Sequence, residues 1–251
     1  MIEWDKRFER QLRWTKQLRN YLFKKINWHK MENLLDLGCG TGLLLNEIGQ
    51  KYSINLYGID ISEERLKVAK NRLEESNVNA RLIYMDFLKN QFEDNKFDIV
   101  VTNCFFLWVK NLRKAFSEID RILKEDGILL ILAEPDYGGL IECPETNLKN
   151  ALYSNLKKEG ADPEVGRKLN QYFDSRFKVL EHFCTSIPWI GNVNKEDLNK
   201  ELEFFKHILA EEDFHERKMK LSIETGKYFI FVPIFSYYLR KSKTCRRNEE
   251  Y

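Results

Sequence analysis

Between residues 3 and 27 the apolar positions fall at helical spacing: Trp4, Phe8 and Leu12, then Leu18, Leu22 and Ile26, with no Gly or Pro among them. This spacing predicts one amphipathic helix of about six or seven turns, with Arg7, Arg10, Lys16 and Lys24 elsewhere around it. From Asn33 the pattern changes to short apolar runs alternating with helical stretches. NLLDLG precedes a helix from about Gly42 to Lys51, and INLYGID precedes one from Ser62 to Glu75. ARLIYMD and FDIVVTN follow, then a helix from Asn111 to Lys124, then GILLILAE. Strands alternating with helices of this length predict βαβ units and a mostly parallel sheet. Ser62, followed by Glu63 and Glu64, is a good helix start: a hydroxyl cap, then acids in the first turn.

Beyond Glu134 the alternation loosens. Pro144 marks the approach to a helix reaching Lys158, and Asp162-Pro163 reads as an N-cap with proline at the first helical position. FKVLEHFCTSIPWI is a strand candidate, residues 195–222 a long charged helical segment, and KYFIFVPIFSYYL a final apolar strand. The expected architecture is α/β, a single doubly wound domain. It divides into an N-terminal helical arm or lid (1–30), a cofactor-binding core (31–139), acceptor-pocket additions with the final strands (140–239) and a basic tail (240–251).

The sharpest local feature is LLDLGCGTG, where a strand runs into Gly38, Gly40 and Gly42 and then a helix. Glycines there let the main chain approach a bound molecule where a Cβ would clash. The helix start beyond them offers free N–H groups. Such a turn at the carboxyl end of a strand is the nucleotide crevice of an open α/β sheet. Asp60 ends the second predicted strand, where a carboxylate accepts the hydroxyls of a ribose. Asp86 ends the third, in YMDF, positioned for an adenine amino group, with Met85 or Phe87 over the ring. Asp36, two residues before the first glycine, suits a cationic cofactor; a GxGxxG dinucleotide site needs no acid there.

On these motifs the stretch from residue 31 to about 139 resembles the class I S-adenosylmethionine-dependent methyltransferases. DLGCGTG, GIDIS and MDF match that family's cofactor motifs, FDIVVTNCFFLW its fourth strand, and RILKEDGILLILAEPD its helix, turn and fifth strand. Glu125-Asp126-Gly127 stand where Pro-Gly-Gly is usual. The nearest subgroup is the broad one that includes quinone-biosynthesis and other small-molecule methyltransferases. The resemblance implies a seven-stranded Rossmann-like sheet and S-adenosyl-L-methionine as cofactor. It implies Gly38, Gly40 and Gly42 along the methionine and ribose portion, and Asp36 near the sulfonium end. Asp60 would then bind the ribose with Ile61 beside the adenine, and Asp86 and Phe87 would read the adenine edge. Asn103 would face the methionine moiety, the alternative being an ordinary strand-end cap. The Pro-Pro-aromatic motif common in base-amino methyltransferases is missing after Asn103, which demotes DNA-base methylation.

Methyl transfer demands positioning more than protein chemistry, and a general base only for a protonated nucleophile. Asp136, Tyr137 and Glu142 are the weak candidates for that base, each more readily read as a loop or cap residue. Phe105, Phe106 and Trp108 either wall an acceptor pocket or pack the core. None of the four histidines has metal-ligand spacing with another, and no metal site is expected. Five widely spaced cysteines without a CxxC pair read as neither a disulfide framework nor a zinc site.

Charge changes the picture once. The formal total of +2 conceals an arm at residues 1–30 with nine basic and three acidic residues, a tail at 240–251 with five against two, and an acidic body between them. The basic arm has three readings: a lid that brings Arg13, Trp14 or Tyr21 to the cofactor, a plainly packed helix, or a nucleic-acid arm. No apolar run approaches the ~18–20 residues of a membrane span, and no secretory signal opens the chain, so a cytoplasmic protein is expected. The leading expectation is a methyltransferase acting on a small molecule. A methyltransferase acting on RNA or protein through the basic arm is the second. A nicotinamide-dependent oxidoreductase is the third, although Leu43 spoils its GxGxxG loop. Either a monomer or a homodimer is compatible, the latter if the apolar final strand lies at a sheet edge.

Overall fold

The computed structural model describes residues 4–185, 189–210 and 214–242. The helical arm is α1 (Trp4–Trp14) and α2 (Lys16–Lys24). The core follows as β1 (Asn33–Leu37), α3 (Leu43–Gly49), β2 (Asn55–Asp60), α4 (Glu63–Glu75), β3 (Ala80–Tyr84), β4 (Phe97–Asn103), α5 (Leu112–Ile122) and β5 (Leu123–Pro135). Next come β6 (Ile141–Cys143), α6 (Leu148–Lys158), α7 (Val165–Lys168), β7 (Phe177–Thr185) and β8 (Trp189–Ile190). The chain closes with α8 (Lys195–Ile208), α9 (Glu216–Glu224), β9 (Phe229–Phe231) and β10 (Ile234–Lys241).

Seven strands form one sheet in the order β3-β2-β1-β4-β5-β10-β7. The first five are parallel, and β10 runs antiparallel between β5 and β7. The near-continuous apolar runs of the sequence are what a sheet covered on both faces requires. Leu35, Leu37, Val100, Leu129 and Ile131 turn to the face covered by α5 and α7. Leu34, Ile99, Val101, Leu130 and Leu132 turn to the face covered by α2, α3 and α4. A second, three-stranded sheet, β6-β9-β8, joins α6, α8 and α9 in a cap with its own core of Leu148, Trp189, Phe205, Met219 and Tyr228. Ser62 caps α4 as expected, its Oγ accepting from the Arg65 N–H at 3.3 Å.

Three expectations about the elements are corrected. The arm is two helices, broken at Thr15 without Gly or Pro. The last carbonyls of a helix need donors from elsewhere, and buried Arg19 supplies them. Its Nη1 donates to the Leu12 carbonyl at 2.8 Å and to Thr15 Oγ1 at 2.9 Å. The same guanidinium anchors α2 to the sheet domain through Glu47 at 2.6 Å. The charged segment 195–222 is likewise two helices, with an extended Leu209 ending the first. The final apolar run is divided at Pro233, which cannot donate to a ladder, into β9 in the cap and β10 in the main sheet. Since β10 pairs on both sides, it is no sheet edge, and that argument for a homodimer falls. The end of the basic tail, residues 243–251, lies outside the described residues, as do residues 186–188 of the strand candidate, whose described parts are not one strand but β7 in the main sheet and β8 in the cap.

Candidate active site

The carboxyl end of β1 turns into α3 through the three glycines. Gly38 and Cys39 both donate their N–H to the Ile59 carbonyl at 2.9 Å. Gly38 has φ +71°, and a Cβ there would lie 2.8 Å from the Phe105 ring. Gly40 has φ +53°, and a Cβ there would meet nothing within 4 Å. The first glycine therefore serves close packing, whereas the second faces open space.

Asp60, at the end of β2, is 5% exposed. Its two oxygens accept the N–H groups of Gly40 and Ser62, each at 2.9 Å, so it ties the glycine turn to the next strand. Asp36 is also buried, and burial together with the charge of Asp60 pushes its carboxyl up to about 8. Ile61 is exposed. Asp86 caps the single helical turn 87–89 through the Leu88 N–H at 3.0 Å, while Phe87 is buried with its ring 6.2 Å from that of Phe105. At the end of β4 the Oδ1 of Asn103 is buried without a partner among the described residues, as is Oγ1 of Thr41. The ends of β1 to β4 thus bring Asp36, the glycines, Asp60, Asp86 and Asn103 to one rim of the sheet. Of the aromatic cluster, Phe106 stacks on Phe116 in the core and Trp108 is half exposed, and neither lines the cavity beside the rim.

Beside this rim lies a cavity with about 820 Å³ of empty space, part of it open to solvent. Cys104, Ala133 and Pro135 at the ends of β4 and β5 form its floor, and Arg7, Gln11, Trp14 and Thr15 of the arm form its roof. The cap closes the far side with Leu140, Trp189, Glu201, Phe205 and Met219. Two anchors hold α1 in place. On the core side Arg72 binds Asp5 at 2.7 Å and donates to the Thr41 carbonyl in the glycine loop. On the cap side Arg10 binds Glu201 through two bonds of 2.9 and 3.0 Å, with Arg7 on the other oxygen at 3.4 Å. Trp14 packs edge-on against Trp189, ring centres 4.7 Å apart.

The arm residues named from the sequence divide. Trp14 lines the cavity; Arg13 is mostly exposed, 3.6 Å from Asp197, and Tyr21 packs on Phe183. Of the base candidates, only Tyr137 lines the cavity, and burial raises its pKa. Asp136 is 1% exposed, ion-paired with Arg167 and accepting from the Gly139 N–H. Glu142 is held by Thr146, by Tyr228 Oη at 3.0 Å and by the Leu148 N–H at 3.0 Å. Both are structural ties. Sequence reasoning missed Arg7, Gln11 and Glu201 as cavity residues. A signal for two of them exists: Arg7, Gln11 and Trp14 sit at i, i+4 and i+7, one helix face. Among the described residues no group of His, Cys, Asp and Glu is arranged to hold a metal.

Known proteins agree with this geometry. Residues 35–131 match the methyltransferase-domain family. The chain is 27% identical over 221 residues to the uncharacterized methyltransferase C70.08c of Schizosaccharomyces pombe, covering 84% of this chain and 81% of that one. It is 25% identical over 234 residues to the malonyl-[acyl-carrier protein] O-methyltransferase of Bacillus anthracis, covering 85% and 86%. The solved geranyl diphosphate C-methyltransferase of Streptomyces coelicolor A3(2), in complex with Mg2+, geranyl diphosphate and S-adenosyl-L-homocysteine, superposes with a TM-score of 0.55. That match covers 84% of this chain and 72% of the other at 15% identity, a likeness of fold. Sheet order, glycine turn and relatives together support a methyl-transferring enzyme. These matches support the class I S-adenosylmethionine-dependent methyltransferases as the family that the chain resembles.

Proposed function

We propose that the enzyme transfers a methyl group from S-adenosylmethionine to a small-molecule acceptor held in the cavity beneath α1. The observation that carries this reading is the cavity itself: floored by the ends of β4 and β5, beside the glycine rim, and roofed by a helix anchored at both ends. The residues at the rim fit the cofactor. Gly40 leaves its face clear, Asp36 is a buried acid awaiting a cation, and Asn103 Oδ1 is a buried acceptor awaiting a donor. The cofactor brings a methyl sulfonium already activated for in-line displacement. The chain's own work is then to bind, orient and exclude water. Asp60 keeps two of its roughly four lone-pair sites for ribose hydroxyls, and Asp36 sits where it offsets the cofactor's positive charge. Roof and cap hold the acceptor's nucleophile over the floor at Cys104 and Ala133.

A macromolecular acceptor fits less well, because three of the arm's four arginines are turned inward. Arg7 and Arg10 go to Glu201, Arg13 to Asp197, Arg19 to Glu47 and Lys25 to Glu181, so five of the arm's nine basic residues are already paired. The test is incubation with methyl-labelled cofactor and a fractionated cell extract. Label is expected in small molecules; label confined to RNA or protein would overturn the acceptor class. Failure of S-adenosylmethionine and S-adenosylhomocysteine to bind in calorimetry would overturn the cofactor assignment.

A further inference from the structure

The roof of the cavity holds an unbalanced charge. The side chains of Arg7 and Arg10 are only 11% and 9% exposed, and Glu201 between them is 4% exposed. Among the described residues Glu201 is the sole carboxylate in ion-pair range of either arginine. It is spent mainly on Arg10, which takes both short bonds, while Arg7 keeps one carboxylate contact of 3.4 Å, reaches the neutral Tyr137 hydroxyl and lies over the Phe204 ring at 3.8 Å. Two buried cations against one anion leave one positive charge in excess, and a buried charge is costly without a partner.

The remaining groups nearby do not supply that partner. Tyr137 and Cys104 are both pushed up by burial, Cys104 to about 12, so each stays neutral near pH 7. Glu134 turns Oε1 to the N–H groups of Phe105 and Phe106. Asp197 lies against Arg13, and Asp5 and Glu9 against Arg72. Two turns along the same face of α1, the indole N–H of Trp14 is buried with no acceptor among the described residues; an indole nitrogen only donates. The roof therefore presents donors and positive charge, while Leu140, Leu152, Phe205, Met219 and Ile230 make the rest of the cavity apolar.

We infer that the acceptor is a monocarboxylate with an apolar body, its anion bound at Arg7 and its hydrocarbon or aromatic part packed against the cap. A single carboxylate matches the single excess charge. An amine is the wrong occupant, since Glu201 already accepts three bonds from arginines. This inference rests on the cavity being the acceptor site, and the cofactor serves as a separate control.

Matched probes test it: octanoate, 1-octanol and octylamine, titrated by calorimetry in the presence of S-adenosylhomocysteine. The acid is expected to bind at least tenfold more tightly than the alcohol, with the amine weakest. Arg7→Gln should erase the preference for acid over alcohol, whereas Arg7→Lys should retain part of it, and S-adenosylhomocysteine should bind both variants. Equal affinities for acid and alcohol, no binding of any probe, tightest binding of the amine, or an unchanged preference in Arg7→Gln would each overturn the inference. In any of those cases an intact S-adenosylhomocysteine isotherm leaves the methyltransferase reading standing, while its loss in the unaltered protein indicts that reading instead.

Discussion

At Asp36 a carboxyl that titrates near 4 in the unfolded chain is pushed up to about 8 in the fold. Between those values the folded protein holds a proton that the unfolded chain has lost, so this group lowers stability progressively as pH rises from about 4 to 8. A cation bound beside it reverses the preference and expels the proton. Cofactor binding near pH 7 is therefore expected to release protons, seen as a dependence of calorimetric heat on the ionisation enthalpy of the buffer; Asp36→Asn should abolish that dependence. The same variant should gain stability over the unaltered protein at pH 8 relative to pH 5 in denaturant titrations. The glycines make a second contrast. Gly38→Ala strains a positive φ and drives a methyl group into Phe105, for an expected loss of about 2–4 kcal/mol of stability. Gly40→Ala bears only the backbone strain, about 1–2 kcal/mol, yet it fills the space kept for the cofactor. Affinity should fall tenfold or more there, read by calorimetry against the stability change. The glycine turn was legible in the sequence because only close approach or positive φ demands such spacing between a strand and a helix. The division of labour between Gly38 and Gly40 was not, since it depends on Phe105, 67 residues away.

At the scale of elements, α1 is held by charge. Removing Arg10 leaves Arg7 and Glu201 as a balanced pair, whereas removing Glu201 leaves two buried cations unpaired. Glu201→Ala should therefore destabilise by about 3–5 kcal/mol and Arg10→Ala by clearly less; the reverse order in urea midpoints would contradict the charge count. Strand and helix periodicity made β1 to β5 and α3 to α5 readable, because each buries a repeating face against the sheet. The break at Thr15 escaped that reading because its cause is a tertiary bond: Arg19 satisfying the carbonyl of Leu12 while held by Glu47. The split at Pro233 escaped because the apolar run continues through it, and only the partner strands, β6 and β8 on one side and β5 and β7 on the other, distinguish β9 from β10. Arg7 escaped for a similar reason, its partner lying 194 residues further on.

Across the whole molecule, the arm joins two bodies that the sheet alone would leave apart. Its α2 belongs to the core, with Leu22 and Phe23, and Ile26 just past the helix end, buried beneath the sheet. Its α1 belongs to neither body and touches both, through Arg72 beside the glycine loop and Glu201 in the cap. Hydrogen exchange in residues 4–14 should consequently slow when cofactor and acceptor are both bound, more than in α2, whose packing is independent of them. Equal protection of the two helices with and without ligands would contradict a separately moving roof. The anchoring also has a consequence in time. The contacts that fix α1 span 67 residues to Arg72 and 191 residues to Glu201. On a ribosome adding ~5–20 residues per second, about 10–40 s separate Arg10 from the carboxylate that receives it. The helix α1 is thus made long before it can find its place. For that interval a nascent chain with a finished glycine turn still lacks its roof, and the ability to enclose an acceptor arrives only with the cap.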